Sequence, residues 1–232
     1  MTATAQHQGL AVVAGAGPGL GHALLRRFAA GGYNATGLSR RPEQTAAHGF
    51  ELVACDLADA AQVRDVLQAA IAKYGPPKVV IHNTAQFVMQ PFLETRGTDF
   101  QSLWQNMVLS AVHLAHAAVP SMLEAGGGTF IVSGATASLR GSANFAAFAS
   151  AKFALRGLTQ SLAREFQPKG LHLAHVLIDG ILDSQQNTGQ TTPEPVRKLN
   201  VDEVADAYWT LAHQPPSAWT DEMDLRPMAE RF

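Results

Sequence analysis

A glycine-rich turn near the N-terminus constrains the fold of this chain more than any other feature. The turn follows an apolar run at residues 10–14 and opens a segment whose apolar residues recur at helical spacing. It contains Gly15, Gly17, Pro18, Gly19, Leu20 and Gly21. Glycines permit a tight turn and close packing of helix on strand, and the unpaired N–H groups at a helix N-terminus favour an anion. The order strand, turn, helix therefore predicts a binding site for the pyrophosphate of a dinucleotide.

Strand-like and helix-like segments alternate along the rest of the chain. Strands are predicted at 11–14, 34–38, 51–54, 79–82, 129–133 and 171–177, and helices at 20–30, 60–74, 99–124, 144–166 and 201–213. A candidate edge strand lies within 219–225. This alternation predicts a Rossmann-like doubly wound α/β fold, with helices on both faces of a parallel sheet. The chain of 232 residues, 47% of them hydrophobic, can bury one large core. We therefore expect a single domain at residues 9–232, after a flexible polar tail at residues 1–8.

Charge and composition argue against several classes of protein. The net charge of −2 and the pI of about 6.5 leave no basic footprint for nucleic acid. The sequence shows no apolar run of membrane-spanning length and no signal-peptide pattern, so we expect a cytoplasmic protein with no membrane partner. Cys55 is the single cysteine and is interpreted as a small buried hydrophobic residue.

The nine histidines do not predict a metal site. His113 and His116 lie three residues apart on a predicted helix, and His172 and His175 lie along a predicted strand. Neither pair is accompanied by an acidic ligand pattern such as His-Glu-x-x-His. We expect these side chains to pack at the surface or at an interface.

The segment from Phe148 to Lys152 resembles the Tyr-x-x-x-Lys signature of the short-chain dehydrogenase/reductase family, with phenylalanine in place of tyrosine. The glycine turn matches that family's Thr-Gly-x-x-x-Gly-x-Gly pattern except for its leading threonine. The resemblance runs from about Gly9 to the C-terminus. It implies a nicotinamide cofactor, a small-molecule substrate or ligand, and an oxidoreductase.

The segment after the second predicted strand indicates which nicotinamide cofactor is bound. NAD sites of this type usually carry an Asp or Glu there, which binds the adenosine ribose. Here the residues are Ser39, Arg40 and Arg41, with no carboxylate at the strand end. A guanidinium binds a 2′-phosphate bidentately, whereas a carboxylate would repel it. We therefore expect NADP rather than NAD, bound mainly through Arg40.

The resemblance implies further cofactor contacts at the ends of later strands. Asp56 and Leu57 stand where the family contacts the adenine, and Asp179-Gly180 stands where Pro-Gly is usual. His82-Asn83-Thr84-Ala85 replaces the usual Asn-Asn-Ala-Gly. The implied contact residues are Asp56, Leu57, Asn83, Thr84, Ala85, Ser133, Lys152, Gly180 and Ser184, the last at the place of a threonine that binds the carboxamide.

The reaction centre of the family uses a serine, a tyrosine, a lysine and an asparagine. Phe148 stands at the tyrosine position and has no O–H with which to move a proton. Ala135, thirteen residues before it, stands at the serine position. Asn106 and Lys152 match the other two positions; in the family the lysine lowers the pKa of the tyrosine and binds the nicotinamide ribose, and the asparagine helps to hold a water relay.

Two functions from different classes follow. The first is an NADP-dependent oxidoreductase acting on a carbonyl or alcohol substrate through an altered active site. Its proton source is then Lys152, through a water held by Asn106, or a hydroxyl of Ser133, Thr136 or Ser138. The second is a catalytically inactive NADP-binding protein acting as a sensor, a scaffold or a partner subunit.

Aromatic residues do not supply the missing phenol. One branch of the family places its tyrosine seven residues before the lysine, and that position here is Phe145. Tyr33, Tyr74 and Tyr208 are not expected to reach the site. Phe145 and Phe148 together offer a dry floor for an apolar ligand.

Two further expectations concern the substrate lid and assembly. The lid is predicted at about residues 182–199, a short polar segment that suggests an open cleft. The resemblance implies a homodimer or homotetramer that assembles through the long helices at 99–124 and 144–166.

Overall fold

The structure is a computed structural model that describes residues 8–42, 49–183 and 198–229. Nine strands are described: β1 (Leu10–Ala14), β2 (Asn34–Ser39), β3 (Glu51–Ala54), β4 (Pro77–His82), β5 (Gly128–Ser133), β6 (Leu171–Ile178), β7 (Ile181–Asp183), β8 (Lys198–Asn200) and β9 (Glu222–Leu225). The described helices are α1 (Leu20–Ala30), α2 (Ala60–Tyr74), α3 (Gly97–Leu103), α4 (Ser110–Glu124), α5 (Ala146–Phe166) and α6 (Val201–Ala212), with a π-helical turn at Trp104–Leu109 between α3 and α4.

Seven of the strands form one parallel sheet in the order β3-β2-β1-β4-β5-β6-β9. The first strand pairs with β2 on one side and β4 on the other, so that Val12 lies between Thr36 and Val80. The strand order reverses at this point, which opens a crevice at the carboxyl ends of β1 and β4. The predicted doubly wound fold is confirmed, and the expected edge strand is β9. Strands β7 and β8 form a separate parallel pair.

Helices cover both faces of the sheet and enclose two hydrophobic layers. One layer joins the sheet to α2, α4 and α5 and includes Leu67, Leu114 and Leu155. The other joins it to α1 and α6 and includes Phe28 and Tyr208. Successive residues of a central strand face opposite layers, so the strands read as continuous apolar runs rather than as alternating ones.

The long helix predicted at 99–124 is interrupted by the π-helical turn at Trp104–Leu109. The hydroxyl of Ser110 donates to the carbonyl oxygens of Asn106 at 2.7 Å and Met107 at 3.2 Å. In a π-helical turn, backbone carbonyl oxygens lose their usual α-helical hydrogen bonds. The Ser110 hydroxyl gives these two carbonyls a replacement donor. Asn106 thus lies in an irregular turn that the apolar periodicity did not reveal.

The expectation that no apolar run reaches membrane-spanning length was wrong by composition: among the described helices, the stretch Gly97–Glu124 is long and apolar enough to span a membrane. Half of its most apolar window is nevertheless buried inside the fold. Leu114, Ala118 and Met122 belong to the hydrophobic layer shared with the sheet. The segment is therefore apolar because it is a core helix of the fold.

Two glycines of the N-terminal turn are required by its geometry. Gly15 has a φ of 90°, and a Cβ there would lie 2.5 Å from the carbonyl oxygen of Asn83. A Cβ on Gly21 would lie 2.7 Å from the carbonyl oxygen of Gly15. Because neither position carries a side chain, the start of α1 can lie directly against the ends of β1 and β4.

Of the four histidines in the two pairs, His172 and His175 lie in the core rather than at a surface, so that expectation was wrong for them. The His172 ring stacks on Trp219 with centroids 4.9 Å apart, and its Nε2 is 3.0 Å from the Thr220 carbonyl oxygen. The His175 ring lies against Gly134, where a Cβ would come within 2.2 Å of Nε2. Burial lowers the pKa of His175 to about 4, so this imidazole is neutral at pH 7.

Candidate active site

A cleft follows the carboxyl ends of the central strands and consists of two adjoining cavities. The Lys152 cavity has a volume of about 590 Å³, and the Arg40 cavity has a volume of about 880 Å³. Both are lined by the glycine turn and by the segment after β4; the shared residues are Gly15, Gly17, Pro18, Asn83, Thr84 and Ala85. The cleft therefore lies at the point where the strand order reverses.

The predicted cofactor residues are distributed between the two cavities. The Arg40 cavity is also lined by Ser39, Arg40, Arg41, Asp56, Leu57 and Asn106. The Lys152 cavity is also lined by Gly19, Leu20, Gly21, Ser133, Ala135, Phe148, Lys152 and Gly180. Ser184 lies outside the described residues, as does most of the predicted lid.

The start of α1 has the properties of a pyrophosphate site. Its N-cap, Gly19, offers no side chain to bind the first N–H groups, and the first turn contains no acidic residue. Nothing lies within 4 Å of where a Cβ on Gly17 would stand, so the turn is open toward the cleft. Free N–H groups and the helix dipole at an open turn fit a dinucleotide pyrophosphate.

The end of β2 presents polar and cationic groups to the Arg40 cavity. Ser39 is half-buried, and Arg40 and Arg41 are exposed. Among the described residues, the carboxylate that lines this cavity is Asp56, which follows β3 rather than β2. Its Oδ1 accepts a hydrogen bond from the Ala58 N–H at 3.0 Å.

Lys152 is buried within α5 while lining the cavity named after it. Its Nζ donates to the carbonyl oxygen of Ser133 at 3.0 Å and lies 5.8 Å from the centre of the Phe148 ring. Burial lowers the pKa of Lys152 to about 8, because desolvation disfavours the ammonium form. Near neutral pH this amine is therefore able to gain or lose a proton.

The hydroxyls near Lys152 are engaged by protein groups. Ser133 Oγ lies 2.7 Å from the hydroxyl of Tyr208 in the core behind the sheet. Ser138 is fully buried and accepts from the Ala135 N–H at 3.2 Å. Thr136 lines the cavity, but its hydroxyl donates to the buried carboxylate of Asp179. Each of these three hydroxyls therefore already has a hydrogen-bond partner within the protein.

A comparison with known proteins agrees with this geometry. The family model described as short chain dehydrogenase matches residues 9–195. The chain belongs to the short-chain dehydrogenase/reductase family. An uncharacterized oxidoreductase of Staphylococcus aureus is 23% identical over 226 residues, which span 94% of this chain and 97% of that protein.

Solved structures of other short-chain dehydrogenases superimpose on nearly the whole chain. The enzyme from Rhodopseudomonas palustris is 36% identical, with a TM-score of 0.80 over 94% of this chain and 98% of that one. A metagenomic short-chain oxidoreductase solved in complex with NADP is 24% identical, with a TM-score of 0.81 over 97% of this chain and 100% of that one. The second likeness shows the fold alone.

Asn106 does not line the same cavity as Lys152. Its Nδ2 donates to Gln86 Oε1 at 2.6 Å and to Ser102 Oγ at 3.3 Å, and its carbonyl oxygen accepts from Ser110. Asn106 lines the Arg40 cavity instead. The side-chain nitrogen and the backbone carbonyl of this residue thus have protein partners.

His82 is a fully buried polar residue at the end of β4. Its Nε2 lies 2.8 Å from Ser110 Oγ and 3.0 Å from Thr84 Oγ1. Because the Ser110 hydroxyl donates to the carbonyl oxygen of Asn106, Ser110 Oγ accepts a hydrogen bond from the N–H at His82 Nε2. Burial, followed by the charge of Lys152, lowers the pKa of His82 to about 3, so the ring is neutral and connects β4 to the π-helical turn.

The tyrosines stay outside the Lys152 cavity, although Tyr208 comes closer than the sequence suggested. Tyr33 and Tyr74 hydrogen-bond elsewhere, to a histidine after α6 and to a carboxylate of β3. Tyr208 is fully buried, and its hydroxyl is hydrogen-bonded to that of Ser133. Burial raises the pKa of the Tyr208 phenol far above its usual range, which keeps it neutral.

The sequence did not predict two residues that shape the Lys152 cavity. Phe87 lies two residues after the matched Asn83–Ala85 segment, and its ring packs edge-on against Phe145 and Phe148. Arg140 follows the 3-10 turn Thr136–Ser138 and lines the same cavity. Neither residue belongs to a motif, so only the folded chain brings them to the site.

Proposed function

We propose that this protein is an NADP-dependent oxidoreductase that interconverts a carbonyl compound and its alcohol, with Lys152 as the proton donor and acceptor. One observation carries the proposal: a buried amine with a pKa of about 8 lines the same cavity as the glycine turn. An acid whose pKa lies near the working pH is well suited to general acid catalysis.

The proposed chemistry needs one hydride and one proton. When bound, the nicotinamide supplies the hydride in reduction or accepts it in oxidation. In reduction, the Lys152 ammonium gives a proton to the substrate oxygen as the hydride reaches the carbonyl carbon, and the amine regains a proton from water. In oxidation, the neutral amine removes the alcohol proton. The usual serine and tyrosine positions of the family hold Ala135 and Phe148, which cannot perform either step.

NADP is the proposed cofactor because of the groups at the end of β2. Ser39, Arg40 and Arg41 line the Arg40 cavity, and no residue among them carries a negative charge. A guanidinium at this place favours the 2′-phosphate that distinguishes NADP from NAD.

A second candidate is an NADP-binding protein that does not turn over. Its support is that three polar side chains of the site have partners within the protein: Ser133 with Tyr208, Thr136 with Asp179, and the amide nitrogen of Asn106 with Gln86. Such a protein would bind the cofactor without oxidising it under any condition.

Self-association is also proposed. Large apolar side chains are exposed on the helices for which an interface was expected, including Trp104, Leu109 and Phe153. Sedimentation velocity on the wild type and on Phe153→Asp should show an oligomer that the substitution weakens. A wild-type monomer would contradict this proposal.

The decisive experiment is a pH profile in both directions at saturating cofactor. NADPH consumption with a panel of aldehydes and ketones should be constant below about pH 8 and decline above it, since the donor is the ammonium. Alcohol oxidation with NADP should rise through the same pH range, since the base is the amine. Opposite profiles around one pKa identify a single group that serves both directions.

Variants separate the role of Lys152 from a purely structural one. Lys152→Arg keeps the positive charge but cannot release a proton at these pH values, so kcat should fall by about 10²–10⁴-fold, as for loss of a general acid. Lys78→Met removes an exposed lysine that also donates to a backbone carbonyl, and it should leave kcat unchanged. Full activity in Lys152→Arg would exclude Lys152 as the proton source. NADPH binding without oxidation at any pH would favour the second candidate.

A further inference from the structure

The Lys152 cavity combines positive charge with apolar walls. Of the described residues that line it, the ionisable ones are Arg140 and Lys152, and none is an aspartate or a glutamate. The remaining lining residues are glycines, small polar residues and apolar or aromatic residues. A cavity of this kind attracts a ligand that is both anionic and apolar.

Arg140 is placed to contact such a ligand. It is exposed on the cavity wall, and its backbone N–H donates to the carbonyl of Thr136 at 3.2 Å. Its guanidinium forms no ion pair or side-chain hydrogen bond within the described part of the chain. By contrast, Arg26, Arg96 and Arg156 each pair with a carboxylate. The donors of Arg140 are therefore available to a bound molecule.

Aromatic rings form part of the same wall. The Phe87 ring lies 5.5 Å from Phe145 and 5.4 Å from Phe148, in both cases edge to face. Phe148 is nearly buried, whereas Phe87 is 65% exposed. An exposed ring beside two more buried ones offers a surface on which an aromatic or branched apolar group loses contact with water.

We propose that the substrate is a carbonyl compound that carries a carboxylate and an aromatic or bulky apolar body. The carboxylate binds Arg140, because a planar guanidinium pairs with a carboxylate through two parallel hydrogen bonds. The apolar body packs on Phe87 and Phe145. The carbonyl part of the assignment rests on the proposed function, whereas recognition of the carboxylate and the ring does not require turnover.

Binding of unreactive ligands tests the inference directly. Titration calorimetry with NADP-saturated protein should compare 3-phenylpropionate with 3-phenylpropionamide, which has a similar shape but no charge. The acid should bind about ten- to a hundredfold more tightly, the range expected for one charge-assisted pair. Replacing the phenyl group of the acid by a methyl group should also weaken binding.

Substitutions locate the two contacts. Arg140→Gln should reduce the preference for acid over amide to near unity, and Arg140→Lys should keep part of it. Arg164→Gln is the matched control, because Arg164 is an exposed arginine on α5 that lies outside this cavity. Phe87→Ala should weaken binding of the phenyl acid more than binding of the methyl acid.

The outcomes separate this inference from the proposed function. Equal binding of acid and amide, no binding of either, or an acid preference that survives Arg140→Gln would each overturn the inference. A clear acid preference together with no oxidation of NADPH by any keto acid would support the recognition site and contradict only the proposed turnover.

Discussion

Replacing Lys152 by methionine should stabilise the protein at neutral pH. The lowering of its pKa from 10.5 to about 8 means that the buried ammonium costs about 3 kcal/mol relative to an exposed one. Methionine has a similar length and no charge, so it avoids this cost. It also loses the hydrogen bond to the Ser133 carbonyl, which contributes about 1 kcal/mol. The expected net gain is about 2 kcal/mol.

The gain should depend on pH with a definite sign. Between about pH 8 and pH 10.5 the unfolded lysine keeps its proton while the folded lysine has released it. The unfolded state then binds more protons, so the stability of the wild type rises with pH in this window. The advantage of Lys152→Met should therefore shrink by about 2 kcal/mol between pH 7 and pH 9.5.

Urea denaturation at these two pH values measures the effect. Lys78→Met is the control, because Lys78 donates to a backbone carbonyl at 3.3 Å but is exposed. It should change the free energy of unfolding little at either pH. Two results would refute the conclusion that burial of the ammonium dominates the energetic cost of Lys152. One is a Lys152→Met variant that is less stable than the wild type at pH 7, and the other is a stability gain over the wild type that is the same at both pH values.

Three other predictions concern the cofactor, the reaction and acid stability. Arg40→Asp should weaken NADP binding about ten- to a hundredfold and leave NAD binding nearly unchanged, as measured by protein fluorescence; equal losses for both would remove the 2′-phosphate contact. Phe148→Tyr combined with Ala135→Ser should raise NADPH-dependent carbonyl reduction, because a phenol beside a buried amine ionises more readily; an inactive double variant that still binds NADPH would contradict this. Hydrogen bonds from Arg156 lower the pKa of Glu222 from 4.5 to about 2, so Glu222→Gln should lose less stability than the wild type between pH 4.5 and pH 2 in thermal unfolding; parallel curves would contradict it.

Much of the fold could be predicted because its signals are local. The glycine turn, the apolar strands and the helical periodicity each depend on neighbours in the chain, and the predicted parallel sheet was confirmed. Local patterns could not reveal the π-helical turn at Trp104–Leu109. That turn depends on a side-chain hydrogen bond from Ser110, and Ser110 in turn contacts His82 at the end of β4.

The candidate site shows the same division. The residues that match the family pattern and lie among those described all line the cleft, because strand ends of a parallel sheet meet at one edge. The hydrogen-bond partners of these residues could not be predicted from the sequence. That Asn106 faces Gln86, and that Ser133 faces Tyr208, depends on side-chain directions set by packing.

The sequence by itself determined which groups the site contains and which it lacks: a lysine is present at position 152, and a phenylalanine rather than a tyrosine is present at position 148. Only the tertiary structure decided what the lysine can do. Its pKa depends on how much water the surrounding strands and helices exclude, and residues far apart in the chain determine that burial. In the same way, Arg140 and Phe87 belong to one cavity only because β4 and β5 are neighbours in the sheet.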